Sequence, residues 1–174
     1  YQPSGVWEPL AITKERDFTY PQSSGDDLYR RSLYSFWRRT ISPANMFDAS
    51  NRQACRVRAS LSNTPLHALT TLNDPTWVEA ARALANDCLS NHDQQDQQLN
   101  QAFQRVLCRQ PSAEELTKLK TMCQRQLEFY KDNQKMVDEL LAVGGAPIDP
   151  DLDRTALAVM TNVSLAIMNL DEAL

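Results

Sequence analysis

No stretch of the chain approaches the roughly 20 apolar residues that a membrane-spanning helix needs. Its most apolar segment, Thr155 to Leu170, is interrupted by Thr161, Asn162, Ser164 and Asn169 and reads as a buried core helix. Histidine is scarce, with only His67 and His92. Imidazole chemistry needs partners that the fold sets beside the ring, and neither histidine has such a cluster in the sequence. His67 falls within an expected helix and His92 in a loop, so both are assigned structural or surface roles. CxxC pairs are missing, as is the CxxCH pattern that attaches haem. A P-loop, a dinucleotide fingerprint and a nucleophile elbow are missing too. The opening Tyr1-Gln2-Pro3-Ser4-Gly5-Val6-Trp7 is neither a signal peptide nor a basic targeting arm. It reads as entry into a longer chain at a loop, which makes the sequence a C-terminal fragment of a larger protein.

What is present is the composition of an ordinary globular domain. The chain has 174 residues, 42% of them hydrophobic and 23% charged, enough for one domain with its own core. The net charge of −4 and the pI near 5.2 argue against a general nucleic-acid binder. The charge is uneven: residues 1–58 carry nine Lys/Arg against six Asp/Glu, and residues 59–174 carry nine against sixteen. The plain explanation is that the two parts pack on each other; the sharper one is a basic functional face. The cysteines Cys55, Cys88, Cys108 and Cys123 are even in number. They can form disulfides in an oxidising compartment or serve as small buried apolar residues, and the sequence leaves both open.

Local signals organise the chain as one helical domain, with an arm and first helix in residues 1–58 and a bundle in residues 59–174. Pro3, Pro9, Pro21, Gly5 and Gly25 punctuate an irregular arm, which Trp7, Phe18 and Tyr20 would anchor. Asp26 or Asp27 can cap a helix burying Tyr29, Leu33, Phe36 and Trp37. The same stretch also alternates, so 28–39 is helix or strand; Pro43 ends it, and Ser50 can cap a short turn through Cys55. Thr64-Pro65 and Asp74-Pro75 each set a capping side chain before a proline at the first helical position, predicting helices over 65–72 and 75–90. The second buries Val78, Ala81, Leu84 or Ala85, and Cys88. Asp93 can start a helix with Leu99, Ala102, Phe103, Val106 and Leu107 on one face. Ser112-Ala113-Glu114-Glu115 is a capping box. Behind it Leu116, Leu119, Cys123, Leu127, Tyr130, Val137 and Leu141 step by threes and fours, a long amphipathic helix broken only at Gln134 and ending at Gly144-Gly145. A last helix buries Leu157, Met160, Val163, Ile167 and Leu170. The fold class is therefore mainly all-α: a bundle of four to five helices with an irregular N-terminal arm.

Candidate chemistry is sparse. Arg30, Arg31, Arg38 and Arg39 flank Tyr34, Phe36 and Trp37. Cations interleaved with aromatics can bind an anionic sugar or single-stranded nucleic acid. The plainer account buries the aromatics and pairs the arginines with Asp26, Asp27 and Asp48. Arg30, Arg31, Tyr34, Trp37, Arg38 and Arg39 form the candidate binding surface. Asp149, Asp151 and Asp153 have the alternate spacing of a calcium loop, but Arg154 stands where glycine is needed and Met160 where glutamate is needed. These carboxylates are better placed to favour the N-terminus of the last helix. Asn63 and Asn73, beside the capped prolines, can tie loops through their amides. No catalytic, metal or cofactor residue emerges.

The strings Gly5-Val6-Trp7-Glu8 and Ser24-Gly25-Asp26-Asp27-Leu28-Tyr29-Arg30-Arg31-Ser32-Leu33-Tyr34-Ser35-Phe36-Trp37-Arg38-Arg39-Thr40 carry a family resemblance. Phe47-Asp48-Ala49, Asn63-Thr64-Pro65-Leu66, Leu72-Asn73-Asp74-Pro75, Val78-Glu79-Ala80-Ala81-Arg82, Arg109-Gln110-Pro111 with Glu114-Glu115, and Asn169-Leu170-Asp171-Glu172 follow in order. The sequence resembles the planctomycete-specific C-terminal domain of unknown function, found in large planctomycete proteins that often also carry a cytochrome c-like domain. It departs from the family pattern with His67 in place of Gln, Ala59 in place of Arg, and Cys108 in place of the Gly before Arg109. The resemblance implies an extracytoplasmic location, periplasmic or secreted, and places any haem in another domain of the parent. Such a compartment would favour a disulfide. No activity comes with the family.

Three functions follow as expectations. The first is a non-catalytic accessory or interaction module, whose partners are upstream domains of the same parent chain or an extracellular polysaccharide. The second is part of a redox or polysaccharide-degrading enzyme whose site upstream domains complete, drawing on Asp26, Asp27, Asp48 or Glu79. The third is a structural scaffold with a large apolar docking patch.

Overall fold

The computed structural model of the chain describes residues 23–31, 34 and 64–173. The expected anchors Trp7, Phe18 and Tyr20, the helix positions Leu33, Phe36 and Trp37, the Ser50–Cys55 turn and Asn63 lie outside them. The chain divides into two compact units, Tyr1–Ser60 and Leu61–Leu174.

In the first unit, Gly25–Tyr29 is a 3-10 helix. It corrects the expectation of an α-helix capped by Asp26 or Asp27. Ser24 holds the N-cap position without a side-chain hydrogen bond, and both aspartates sit in the first turn. Gly25 enters with φ +59, a conformation that costs glycine nothing. The backbone is extended again at Arg30. Tyr29, expected on a buried face, is 59% exposed, because so short a turn presents no continuous apolar stripe to a core.

The described residues of the second unit form six α-helices: α1 (Pro65–Asn73), α2 (Pro75–Asn91), α3 (Gln95–Leu107), α4 (Ala113–Lys131), α5 (Gln134–Leu141) and α6 (Arg154–Met168). No strand occurs among the described residues, so the fold is mainly helical. The proline-led starts work as the sequence suggests. Thr64 Oγ1 accepts the His67 N–H at 3.2 Å, and Asp74 Oδ1 accepts the Thr76 N–H at 2.9 Å. Asp74 also closes α1, donating its N–H to Thr70 O at 2.8 Å, so one residue joins two helices. The Asn73 amide bonds back to Leu69 O within α1 at 2.8 Å.

Two helix limits differ from expectation. Asp93 lies in a bend and α3 begins at Gln95, with Gln94 at the N-cap making no capping bond. The long helix behind the capping box is in fact two. Asn133 Nδ2 donates to Phe129 O at 2.7 Å, and Gln134 Nε2 donates to Tyr130 O at 2.9 Å. These amides take the carbonyls that a continuing helix would use, so α4 ends at Lys131 and α5 starts again at Gln134. This is why the bundle has six helices rather than four or five. The capping box forms in full: Glu115 N–H donates to Ser112 Oγ at 3.2 Å, and Ser112 N–H donates to Glu115 Oε2 at 2.7 Å.

Helix α6 is the axis of this unit and packs against each of the other five α-helices. Its core positions Leu157, Val163 and Ile167 are fully buried against Phe103 of α3, Tyr130 of α4 and Val137 of α5. Each such side chain contributes about 1.5–3 kcal/mol. Along α2, Val78, Ala81, Ala85 and Cys88 are buried, with Leu84 only partly so. Leu170 falls past the end of α6 and is 40% exposed, against expectation; the Asn169 N–H has already closed the helix on Leu165 O. Asp153 caps α6, its Oδ1 accepting the Ala156 N–H at 2.7 Å. Asp149 braces the preceding loop, accepting the Asp151 N–H and the Ser90 hydroxyl. The Asp149 and Asp153 carboxylates are thus engaged in turn and cap bonds, and Asp151 is exposed.

Candidate interaction surface

The expected binding surface is described only in part. Arg30 Nε donates to Asp27 Oδ1 at 2.9 Å, and both side chains are more than half exposed. Arg31 is exposed, and Tyr34, whose N–H donates to Arg31 O at 2.9 Å, is 72% exposed. Arg30, Arg31 and Tyr34 are therefore all exposed. Trp37, Arg38 and Arg39 lie outside the described residues, as does Asp48. Asp26 and Asp27 are exposed, whereas Glu79, another candidate carboxylate, is buried in α2.

A second surface belongs to the bundle. Helix α1 carries Leu66, Leu69 and Leu72, which are 72%, 58% and 42% exposed. A spacing of three places them along one side of the helix, while Thr71 on the inner side is fully buried with its hydroxyl on His67 O. Helix α1 contains no Lys, Arg, Asp or Glu. The leucine spacing was readable in Leu66-His67-Ala68-Leu69-Thr70-Thr71-Leu72. Its outward direction was not, because nothing local says which face of so short a helix meets the core.

Sequence reasoning missed two arginines. Arg82 is 3% exposed; its guanidinium donates to Leu141 O at 2.8 Å and Ala146 O at 2.9 Å, pinning α2 to the end of α5 and the turn beyond. In that turn Gly144 has φ +84, and a Cβ there would lie 2.5 Å from Glu79 Oε2 and 2.7 Å from Glu79 Cβ. Arg109 donates to Glu115 Oε1 at 2.8 Å and to Glu172 Oε2 at 2.6 Å, and its guanidinium stacks 4.8 Å over the Phe103 ring. It thereby ties the α3–α4 turn to the segment after α6. Hydrogen bonds from Arg109 and Ser112 hold the Glu115 carboxyl down at about 2, and Arg109 lowers that of Glu172 as well.

Among the described residues, no group of three or more His, Cys, Asp or Glu side chains is placed to hold a metal ion, and no helix is long and apolar enough to cross a membrane. Cys88 and Cys123 are buried free thiols, and Cys108 is an exposed free thiol. Burial, reinforced by Asp87, pushes the Cys88 thiol up to about 11.

The structure thus defines a helical module in which, among the described residues, polar side chains serve caps, turns and bridges and the leucine row of α1 is exposed. Its sequence matches the family described as PSD1, protein of unknown function (DUF1553), over residues 1–123, and the chain belongs to that family. No curated protein and no solved structure matches it.

Proposed function

We propose that this chain is a non-catalytic interaction module of a large extracytoplasmic protein, and that α1 is the face on which it docks to an upstream domain of the same parent chain. The observation that carries this is the leucine row of α1, exposed along its length. Contiguous apolar surface left to solvent marks a contact site more often than an accident of packing. Desolvating three leucines on a helix without Lys, Arg, Asp or Glu incurs no charge-burial penalty from the helix itself. Arg31 and Tyr34, both exposed, supply a second contact of a different kind, suited to an anionic extracellular polysaccharide. The planctomycete parent and its cytochrome c-like neighbour domain belong to this proposal, and any haem would reside in that neighbour.

Calorimetric titration of the module with separately produced upstream domains tests the docking. Leu69→Lys should leave the melting temperature of the free module nearly unchanged, since the site is solvent-facing, and weaken association at least tenfold. Equal affinity of Leu69→Lys and the parent sequence would sink the assignment of α1.

A further inference from the structure

We propose that the hollow where α2, α3, α4 and α6 converge binds a small uncharged ring compound carrying one hydrogen-bonding group, of the size and polarity of phenol. The hollow measures about 150 Å³, similar to the engineered apolar cavity that admits benzene at roughly 150 Å³. Its floor is made by Cys123, Val159 and Met160, all buried, with Leu89 of α2 completing it.

A departure in helix α4 locates the missing contact. Cys123 and Tyr130 on its inward stripe are 4% and 5% exposed, yet Leu127 between them is 39% exposed. Leu127 lines the hollow, so it borders empty space where its neighbours meet side chains. An apolar ring placed there would restore the contacts that a core leucine normally has.

The rim sets the polarity of the occupant. Gln95, Gln98 and Gln124 line the hollow, and among the described residues no charged side chain does. A charged ligand would find no counter-charge and would lose its hydration. Gln95 is engaged with the Cys123 thiol, and Gln98 Nε2 donates to His92 O at 2.7 Å, which leaves the Gln98 carbonyl to accept. Gln124 is exposed at the mouth and can donate or accept. One hydroxyl on a ring satisfies such an edge; a bare hydrocarbon does not. This site is independent of the α1 docking face, and either can fail alone.

The test is a titration of the whole 174-residue chain with phenol, and separately with benzene, followed through the methionine methyl resonances. The Met160 methyl should shift and saturate below about 10 mM phenol. Ala156→Leu, which fills the hollow from α6, should abolish that shift. Gln124→Ala, at an exposed position, should weaken phenol roughly three- to tenfold, the range of one hydrogen bond, with benzene unaffected. A Met160 methyl that never saturates overturns the proposal. So does a phenol titration that both variants leave unchanged, since binding would then be elsewhere. Benzene binding as tightly as phenol overturns the polar half of the assignment.

Discussion

Cys108 is the one described non-glycine residue in the left-handed region, at φ 57. It follows α3, and its N–H donates to Gln104 O at 2.9 Å, the position where helices most often carry glycine. Replacing it with Gly removes a Cβ clash worth about 1 kcal/mol, offset in part by the greater freedom of glycine when unfolded. Cys108→Gly should therefore raise stability by up to about 1 kcal/mol in urea unfolding, while Cys108→Val should lower it. The opposite order would mean that the turn relaxes in solution. At Gly144 the argument runs the other way, since a side chain meets both strain and Glu79. Gly144→Ala should cost about 2 kcal/mol or more, read from the same unfolding curves. Arg82→Met takes the donor from the buried Leu141 carbonyl and the part-buried Ala146 carbonyl and should cost about 2–4 kcal/mol. Arg82→Lys should recover only part of that, because an ammonium cannot reproduce the two-pronged reach of a guanidinium. Full recovery by lysine would show that charge alone matters at this position.

Between elements, the Arg109 clamp sets an acid limit. The Glu115 and Glu172 carboxyls titrate lower in the folded chain than in the unfolded one. Their stabilisation is thus complete above the ordinary value of 4.5 and is lost as pH falls through it toward about 2. Melting temperature should decline over that window in the parent sequence, and Arg109→Gln should flatten the decline. An identical acid limb in both proteins would place the acid sensitivity elsewhere. Most elements were legible beforehand because their signals are local. Thr64-Pro65, Asp74-Pro75 and the Ser112/Glu115 box each act within four residues, and the structure realises all three bonds. The break between α4 and α5 showed in the sequence only as the interruption at Gln134, because the apolar period runs straight through it, while the Asn133 and Gln134 amides that cut it compete with the backbone only through side-chain geometry. Arg82 escaped notice for a different reason. Its acceptors lie 59 and 64 residues away, and no pattern in the sequence marks a carbonyl as needing a donor. The α1 leucines and the Arg30-to-Tyr34 stretch could be seen as residues, but not as surfaces, until burial was known.

At the scale of the molecule, the family match and the folding unit have different limits. The match covers residues 1–123 and so ends inside α4, whereas α6, with Leu157, Val163 and Ile167 fully buried, supplies the surface against which α1 to α5 pack. A chain cut after Cys123 would expose the inner faces of α1, α2 and α3 and strand Arg82 without its two acceptors. It should lack a cooperative thermal transition by circular dichroism, while the 174-residue chain should show one; a sharp transition in the shorter chain would mean that the matched part folds alone. The position of α6 also has a consequence for biosynthesis. A ribosome delivers α1 to α5 before the helix they all surround, so the nascent bundle has an interior with no centre until α6 emerges. Its apolar faces have only one another to pack against until then, and native packing is completed only after translation has passed residue 168.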